Sequence, residues 1–334
     1  MGKCSLGCLA LAACGHLRFD ALGDGAPAGD AAADSDAAMV RCAGLAATCG
    51  PTGTSDCCAS LPVPGGTFYR SFDFGSDGAW TDMSYPATLG DFQLDTYEVT
   101  VGRFRQFVDA GLGTQTNPPP SGAGARTLGG APGQGGWDPT WNTNLAVDSP
   151  TLIADLSCTA GQQTWTDAAG ANESLAINCI TWFEAFAFCA WDGGFLPTEA
   201  QWNYAAVGGV DQRAFAWSNP VSSVAIDCTE ANFDPGVPCV GSNPGNVVRV
   251  GSQSPVGDGK WGHSDLGGNV WEWMLDWVDV YPVPCDDCAD LTSNTVRGFR
   301  GGAYNTTATQ VRPATRGDAM PTFRDPANGV RCAR

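Results

Sequence analysis

Apolar residues recur at helical spacing in three places. Phe104, Phe107 and Val108 follow Thr100, a side chain suited to capping a first turn, and Gly111 ends the run. This predicts a helix from Val101 to about Ala110. Trp182 to Trp191 is apolar nearly throughout, opened by Thr181 and Glu184 at capping-box spacing and closed by Asp192-Gly193-Gly194. A helix apolar on every side has no solvent face and belongs deep in a core. Thr198 and Gln201 repeat the capping box at once, and Gly208-Gly209 stops the short helix they start. Phe92 to Glu98 reads as a strand. Residues 112–140 are rich in Gly and Pro without a period, which predicts a long surface excursion. Beyond the third helix the pattern supports short strands and loops only, and no period of 20–50 residues marks a repeat protein.

The N-terminus carries a different pattern. Lys3 precedes a short apolar run from Leu6 to Ala13, too short to span a bilayer. It ends Ala13-Cys14-Gly15, which resembles a lipobox, so residues 1–14 are expected to be a lipoprotein-type signal with Cys14 lipidated. An ordinary secretory cleavage near Ala13 is the alternative. Either reading puts the protein outside the cytoplasm, and the first makes it an outer-membrane or surface lipoprotein of the cell envelope held by lipid alone. Residues 15–41 are dominated by Ala, Gly and Asp and are expected to form an acidic flexible tether. Residues 42–61 form a cysteine-rich extension, in which Cys42, Cys49, Cys57 and Cys58 allow two local bridges of open pairing. The main domain is placed at residues 62–334.

Composition narrows the function classes. Gly and Pro number 44 and 22, and charged residues are only 16%, against about 25% in an average protein. That mix predicts a loop-dominated globule. A formal charge of −18 leaves no basic stripe for phosphates and argues against nucleic acid. Of 15 cysteines, Cys4 and Cys8 leave with the signal and Cys14 is set aside for lipid. An even number then remains in an oxidising compartment, as a disulfide framework requires. Zinc is disfavoured because His16 and His263 are the only histidines. His263 is expected to be an ordinary surface-loop residue without a nucleophile partner.

The stretch from Gly267 to Trp273 packs a glycine turn, a carboxylate and two indoles into a short space. Such a turn can aim carbonyl oxygens inward beside Asp265 and Glu272, a hard donor set that suits calcium. A buried aromatic turn with a hydrogen-bonded Glu is the plain alternative.

Tyr97-Glu98-Val99-Thr100, Phe195 to Trp202, Gly268 to Trp273, Arg300-Gly301-Gly302 and Gly329-Val330-Arg331-Cys332 occur in that order. The series resembles the sulfatase-modifying-factor family, which includes the formylglycine-generating enzymes, over roughly residues 62–334. The resemblance implies an α+β domain of C-type-lectin-like fold, low in regular secondary structure. It implies structural Ca2+ held by the Asp265 and Glu272 side chains and the Gly268 and Val270 carbonyls. A second set would use Asn232 and the Phe233 carbonyl. It also implies a Cys189–Cys332 disulfide, closing a loop of about 140 residues. Proximity suggests Cys158–Cys179, Cys228–Cys239 and Cys285–Cys288. The last has Cys-x-x-Cys spacing, whose functional reading is a redox pair and whose plain reading is a structural bridge.

The chain departs from the family's oxidases at one decisive place. Those enzymes hold copper on a cysteine pair between the Gly-Gly motif and the final Gly-x-Arg motif. Here the interval from Ala303 to Asn328 contains no cysteine, and Thr and Arg side chains cannot replace two soft thiolates. The histidine triad of the family's iron enzymes is missing too. The expectation is therefore a non-oxidising domain that binds a small molecule or peptide. Tyr304, Asn305, Arg312 and Arg316 would line the groove, with Trp271 or Trp273 as walls. Internal salt bridging is the plain reading of both arginines. An oxidoreductase with relocated chemistry and a structural envelope protein are the alternatives.

Overall fold

The computed structural model describes residue 42 and residues 44–236 and 246–334. The expected signal, the tether, Cys14 and Cys239 lie outside the described residues. The largest sheet has four strands near the C-terminus, in the order β10-β7-β8-β9: β7 is Trp271–Trp277, β8 Arg297–Arg300, β9 Gly317–Ala319 and β10 Asn328–Gly329. β7 runs antiparallel to β8 and parallel to β10. Its first six residues are buried, because two helices pack on the sheet.

Those helices are the two longer ones with capping boxes; Thr307 and Gln310 form a third box at Ala308–Val311. Trp182–Trp191 and Glu199–Ala206 start where Thr181 and Thr198 accept from the N–H groups of Glu184 and Gln201, and both boxes close reciprocally. Together with Val101–Asp109, capped by Thr100, and Ser149–Asp155, they are α3, α4, α1 and α2 respectively. The indole N–H of Trp182 donates to the Met274 carbonyl at 2.7 Å and that of Trp273 to Ile180 at 3.2 Å. Helix and strand are thus joined by buried aromatic bodies whose polar atoms are satisfied.

Three two-stranded sheets complete the frame. β1 (Ser60–Val63) pairs with β4 (Phe92–Asp95), β2 (Gly66–Tyr69) with β3 (Pro86–Leu89), and β5 (Arg126–Leu128) with β6 (Ala131–Gln134). The last hairpin lies inside residues 112–140, where a plain surface excursion was expected. Trp137 from the same stretch is 1% exposed and packs edge-on to Phe183. Its burial against α3 is a long-range contact, which a local period does not encode. The short helix α5 (Ala308–Val311) also falls where only strands and loops were expected.

The chain ends by lacing itself into this frame. Gln93 and Arg334 exchange main-chain hydrogen bonds, as do Phe195 and Ala333. Asp95 pairs with Arg103 and Arg334, each at 2.8 Å, and Asp192 pairs with the same two arginines. This closed ring of four charges ties β4, α1, the end of α3 and the C-terminus together.

The cysteine-rich extension is part of the same body. Cys49 and Cys57 are buried in one cluster with Tyr97, Val250, Val270 and Trp271, and β1 crosses the boundary placed at residue 62. Cys49–Cys57 nests inside Cys42–Cys58, and the structure bridges Cys158–Cys179, Cys189–Cys332 and Cys285–Cys288. Cys228 is disulfide-bonded as well.

Loop length separates these bridges in stability. The chain-entropy estimate gives about 5 kcal/mol for Cys189–Cys332 and about 2 kcal/mol for Cys285–Cys288, whose sequence separations are 143 and 3. Replacing Cys189 and Cys332 by Ala is therefore expected to lower the denaturant midpoint about two to three times as far as replacing Cys285 and Cys288. Equal losses in urea unfolding would show that loop closure does not set their contribution.

Candidate functional site

The glycine turn before β7 is built by close backbone approach. Gly268 has φ +85°, and a Cβ there would lie 2.3 Å from the Asn232 carbonyl oxygen, so no side chain fits. That carbonyl accepts the Asn269 N–H at 2.8 Å, and Gly268 N–H donates to Gly301 at 2.8 Å. Asn269 is the polar centre of the turn. Its Oδ1 accepts from Asn232 Nδ2 at 3.1 Å and Val248 N–H at 3.0 Å, while its Nδ2 donates to Glu98 Oε2 at 2.5 Å. Glu98 Oε1 takes the Val270 N–H at 3.1 Å. Asn232, offered for a second calcium set, is thereby drawn into the turn itself.

Glu272, the second residue of β7, has no exposure. Arg331 Nη2 reaches Oε1 at 2.8 Å, Arg331 Nε lies 3.1 Å from both oxygens, and Trp202 Nε1 donates to Oε2 at 2.6 Å. Arg331 donates further to the carbonyls of Asp95, Thr96 and Ser264. Three carboxylates surround this one guanidinium. Burial, reinforced by Asp265 and Glu272, pushes Glu98 well above the usual carboxylate range. Burial likewise lifts Asp265 to about 6, with the Gly251 N–H and Arg331 opposing and Asp258 and Glu272 adding.

The calcium set implied by the resemblance does not fit this arrangement as a whole. Asp265, Gly268, Val270 and Glu272 share the turn, but both oxygens of Glu272 are engaged by a guanidinium and an indole. Glu272 is a counter-ion here. Glu98, Trp202 and Arg331 stand in the motif series without a role of their own; the mark they carry is a lone acid set in apolar surroundings, which must find a partner when buried.

The expected groove is corrected by the same logic. Arg312 is 3% exposed and lies between Asp73 at 2.7 Å and Asp77 at 2.5 Å. Arg316 pairs with Glu199 at 2.7 Å, donates to the Asp279 carbonyl at 2.7 Å and stacks over Tyr281. Glu199 is buried and is also held by Arg300, so both arginines serve as internal counter-ions. Tyr304 is buried with Trp271, Trp273 is in the core, and Asn305 alone of the four groove residues is exposed. His263, expected at the surface, is fully buried with Nε2 3.2 Å from the Leu94 carbonyl. Burial, with the charge of Arg331 adding, holds its imidazole down to about 4.

The cysteines give the clearest functional statement. Each one among the described residues is in a disulfide, so none offers a free thiolate to copper. A cleft of about 380 Å³ does open elsewhere, between α1, α3 and the Pro118-Pro119-Pro120 run, with Phe107, Ala190 and Trp191 on its walls.

Two measurements check this electrostatic picture. Glu272→Gln leaves Arg331 buried without its charge partner and is expected to cost about 3–5 kcal/mol, equally with added calcium and with chelator. A loss confined to the calcium-loaded protein would restore Glu272 as a ligand. For His263, the unfolded imidazole binds a proton near its ordinary 6.5 while the folded one stays neutral to about 4. Its contribution to stability is therefore complete above about 6.5 and is lost as pH falls towards 4. Asp265 and Asp276, both raised to about 6 by burial, act in the opposite sense. Comparing the chain with His263→Asn isolates the imidazole: the variant's stability should fall less steeply on acidification, by up to about 1.4 kcal/mol per pH unit. Parallel curves would contradict its buried neutral state.

Comparison with known proteins places this architecture. The formylglycine-generating enzyme of Streptomyces coelicolor is 29% identical over 297 residues, covering 81% of this chain and 87% of that protein. The inactive C-alpha-formylglycine-generating enzyme 2 of Bos taurus is 31% identical over 159 residues, covering 46% and 48%. Among solved structures, PvdO from Pseudomonas aeruginosa aligns with a TM-score of 0.55 at 18% identity, over 82% of this chain and 93% of that one. Treponema denticola variable protein 1 aligns at 0.51 and 17% identity, over 82% and 94%. These two structures share the α+β, C-type-lectin-like fold. The family model described as the sulfatase-modifying factor enzyme 1-like domain matches residues 46–334, and this chain belongs to that family.

Proposed function

We propose that this chain is an exported, lipid-anchored member of the family that binds a peptide or small molecule and does not oxidise cysteine. The observation that carries this reading is the absence of cysteine between Ala303 and Asn328, together with the bridging of every described cysteine. A Cu(I) centre needs soft thiolate donors, and none is free among the described residues. The relatives named as inactive formylglycine-generating enzymes are consistent with a scaffold that outlives the chemistry.

With Arg312 and Arg316 turned inward, the apolar cleft at Trp191 is the better candidate for a ligand, since about 300–1,000 Å³ is usual for a small-molecule site. Calcium stays a separate proposal, on Asp265 with the Gly268 and Val270 carbonyls and on the Asn232 and Phe233 set, without Glu272. Titration of chelated protein decides it: heat of calcium uptake supports it and a flat trace removes it.

Anaerobic Cu(I) titration of the full chain, followed by oxygen and a cysteine-containing peptide, tests the main reading. The expected outcome is no stoichiometric tight copper binding and an unmodified peptide. Conversion of the peptide cysteine to an aldehyde would overturn it.

A further inference from the structure

Cys285-Asp286-Asp287-Cys288 is the one bridge of the described set that closes a Cys-x-x-Cys ring. Its two sulfurs have unlike surroundings. Cys285 is 5% exposed, whereas Cys288 is half-buried and lines an open cleft of about 710 Å³ shared with Asp279, Val280 and Leu291. Arg70 stands directly behind Cys288, with Nη1 3.5 Å from its sulfur. That guanidinium is 2% exposed, donates to the Pro282 carbonyl at 2.6 Å and stacks over Tyr281. A fixed buried cation beside a sulfur favours its thiolate, which is the form that reacts, against the opposing carboxylates of Asp279 and Asp290 in the cleft and Asp286 and Asp287 in the ring. The purely structural role is the weaker explanation, because the shortest loop contributes least to stability.

The backbone of the ring is held independently of the S–S bond. Thr88 N–H donates to the Cys285 carbonyl and Asp287 N–H to the Thr88 carbonyl, each at 2.9 Å. Asp287 Oδ1 accepts the Gly90 N–H at 2.9 Å. Opening the disulfide therefore leaves the ring's backbone tethered beside β3 at Cys285 and Asp287.

We propose that Cys285 and Cys288 are a redox-active pair that exchanges its disulfide with a dithiol partner, through Cys288. The partner's thiolate attacks the accessible Cys288 sulfur, and the S–S electron pair leaves on Cys285, which takes a proton. The partner's second thiolate then attacks its own sulfur in the mixed disulfide and expels Cys288 as a thiolate beside Arg70. The partner's dithiol becomes a disulfide, and its two electrons reside on Cys285 and Cys288. The reverse sequence reduces a partner disulfide with Cys288 as nucleophile. Neither direction uses copper or oxygen, and the copper titration is made on the oxidised chain, in which this pair is bridged, so this inference and the non-oxidising reading fail separately.

The test uses the full oxidised chain with dithiothreitol as the dithiol, under conditions where circular dichroism shows it folded. Thiols are trapped with iodoacetamide and mapped by mass spectrometry. Cys285 and Cys288 should be labelled first, at least about tenfold faster than Cys189 and Cys332. Labelling of all bridges together, or only on unfolding, overturns the proposal. In a Cys285→Ser chain, the pH profile of Cys288 alkylation should have its midpoint at least about one unit below the ordinary thiol value of about 8.5. Adding Arg70→Gln should move it back up, while Arg70→Lys should not. A Cys288 midpoint at or above the ordinary value overturns the proposal even if the Arg70→Gln chain does not fold.

Discussion

Both oxygens of Glu272 are held in the buried centre of the sheet, by the guanidinium of Arg331 on one side and the indole of Trp202 on the other. Three parts of the chain meet there: the glycine turn that opens β7, helix α4, and the C-terminal segment after β10 that carries Arg331. Arg331 in turn collects the carbonyls of Asp95, Thr96 and Ser264, which fixes the end of β4 and the loop before the turn. Removing either charge would leave the other buried and unpaired, the most destabilising state for such a pair. The same carboxylate is therefore poorly placed to serve as a metal ligand.

The rest of the polar core repeats this solution. The chain has 35 acidic and only 17 basic residues, yet arginines are drawn inside: Arg103 and Arg334 around Asp95 and Asp192, Arg300 and Arg316 around Glu199, Arg312 between Asp73 and Asp77. A fold with short strands and long connections has many irregular segments to fix in place. Planar, multidentate guanidinium groups suit that task because one side chain satisfies several carbonyls and carboxylates at once. Positive charge scarce at the surface is thus a consequence of its use in the interior.

What could be read from the sequence follows the range of the interactions involved. Thr181 with Glu184 and Thr198 with Gln201 act within one turn, so both helix starts were legible. The motif series identified the scaffold and implied the Cys189–Cys332 bridge. Trp137 and His263 were placed at the surface because their partners are distant: Trp137 meets α3 and His263 meets Leu94. For Arg312 and Arg316 internal salt bridging was the plain reading, and only the partners, such as Asp73 and Glu199, lay beyond local pattern. A lone polar residue in a loop carries no local mark of the cavity that will enclose it. Glu98 was quoted as part of a motif, but its hold on Asn269 and Val270 depends on a contact across more than half the chain.

Glu272 and Arg331 act as one buried unit. A double-mutant cycle, with Glu272→Gln, Arg331→Gln and the double variant compared by urea unfolding, measures that directly. The predicted result is a coupling of at least about 2 kcal/mol, the double variant losing much less than the sum of the single losses. Losses that add to within about 0.5 kcal/mol would contradict it and return Glu272 to other uses.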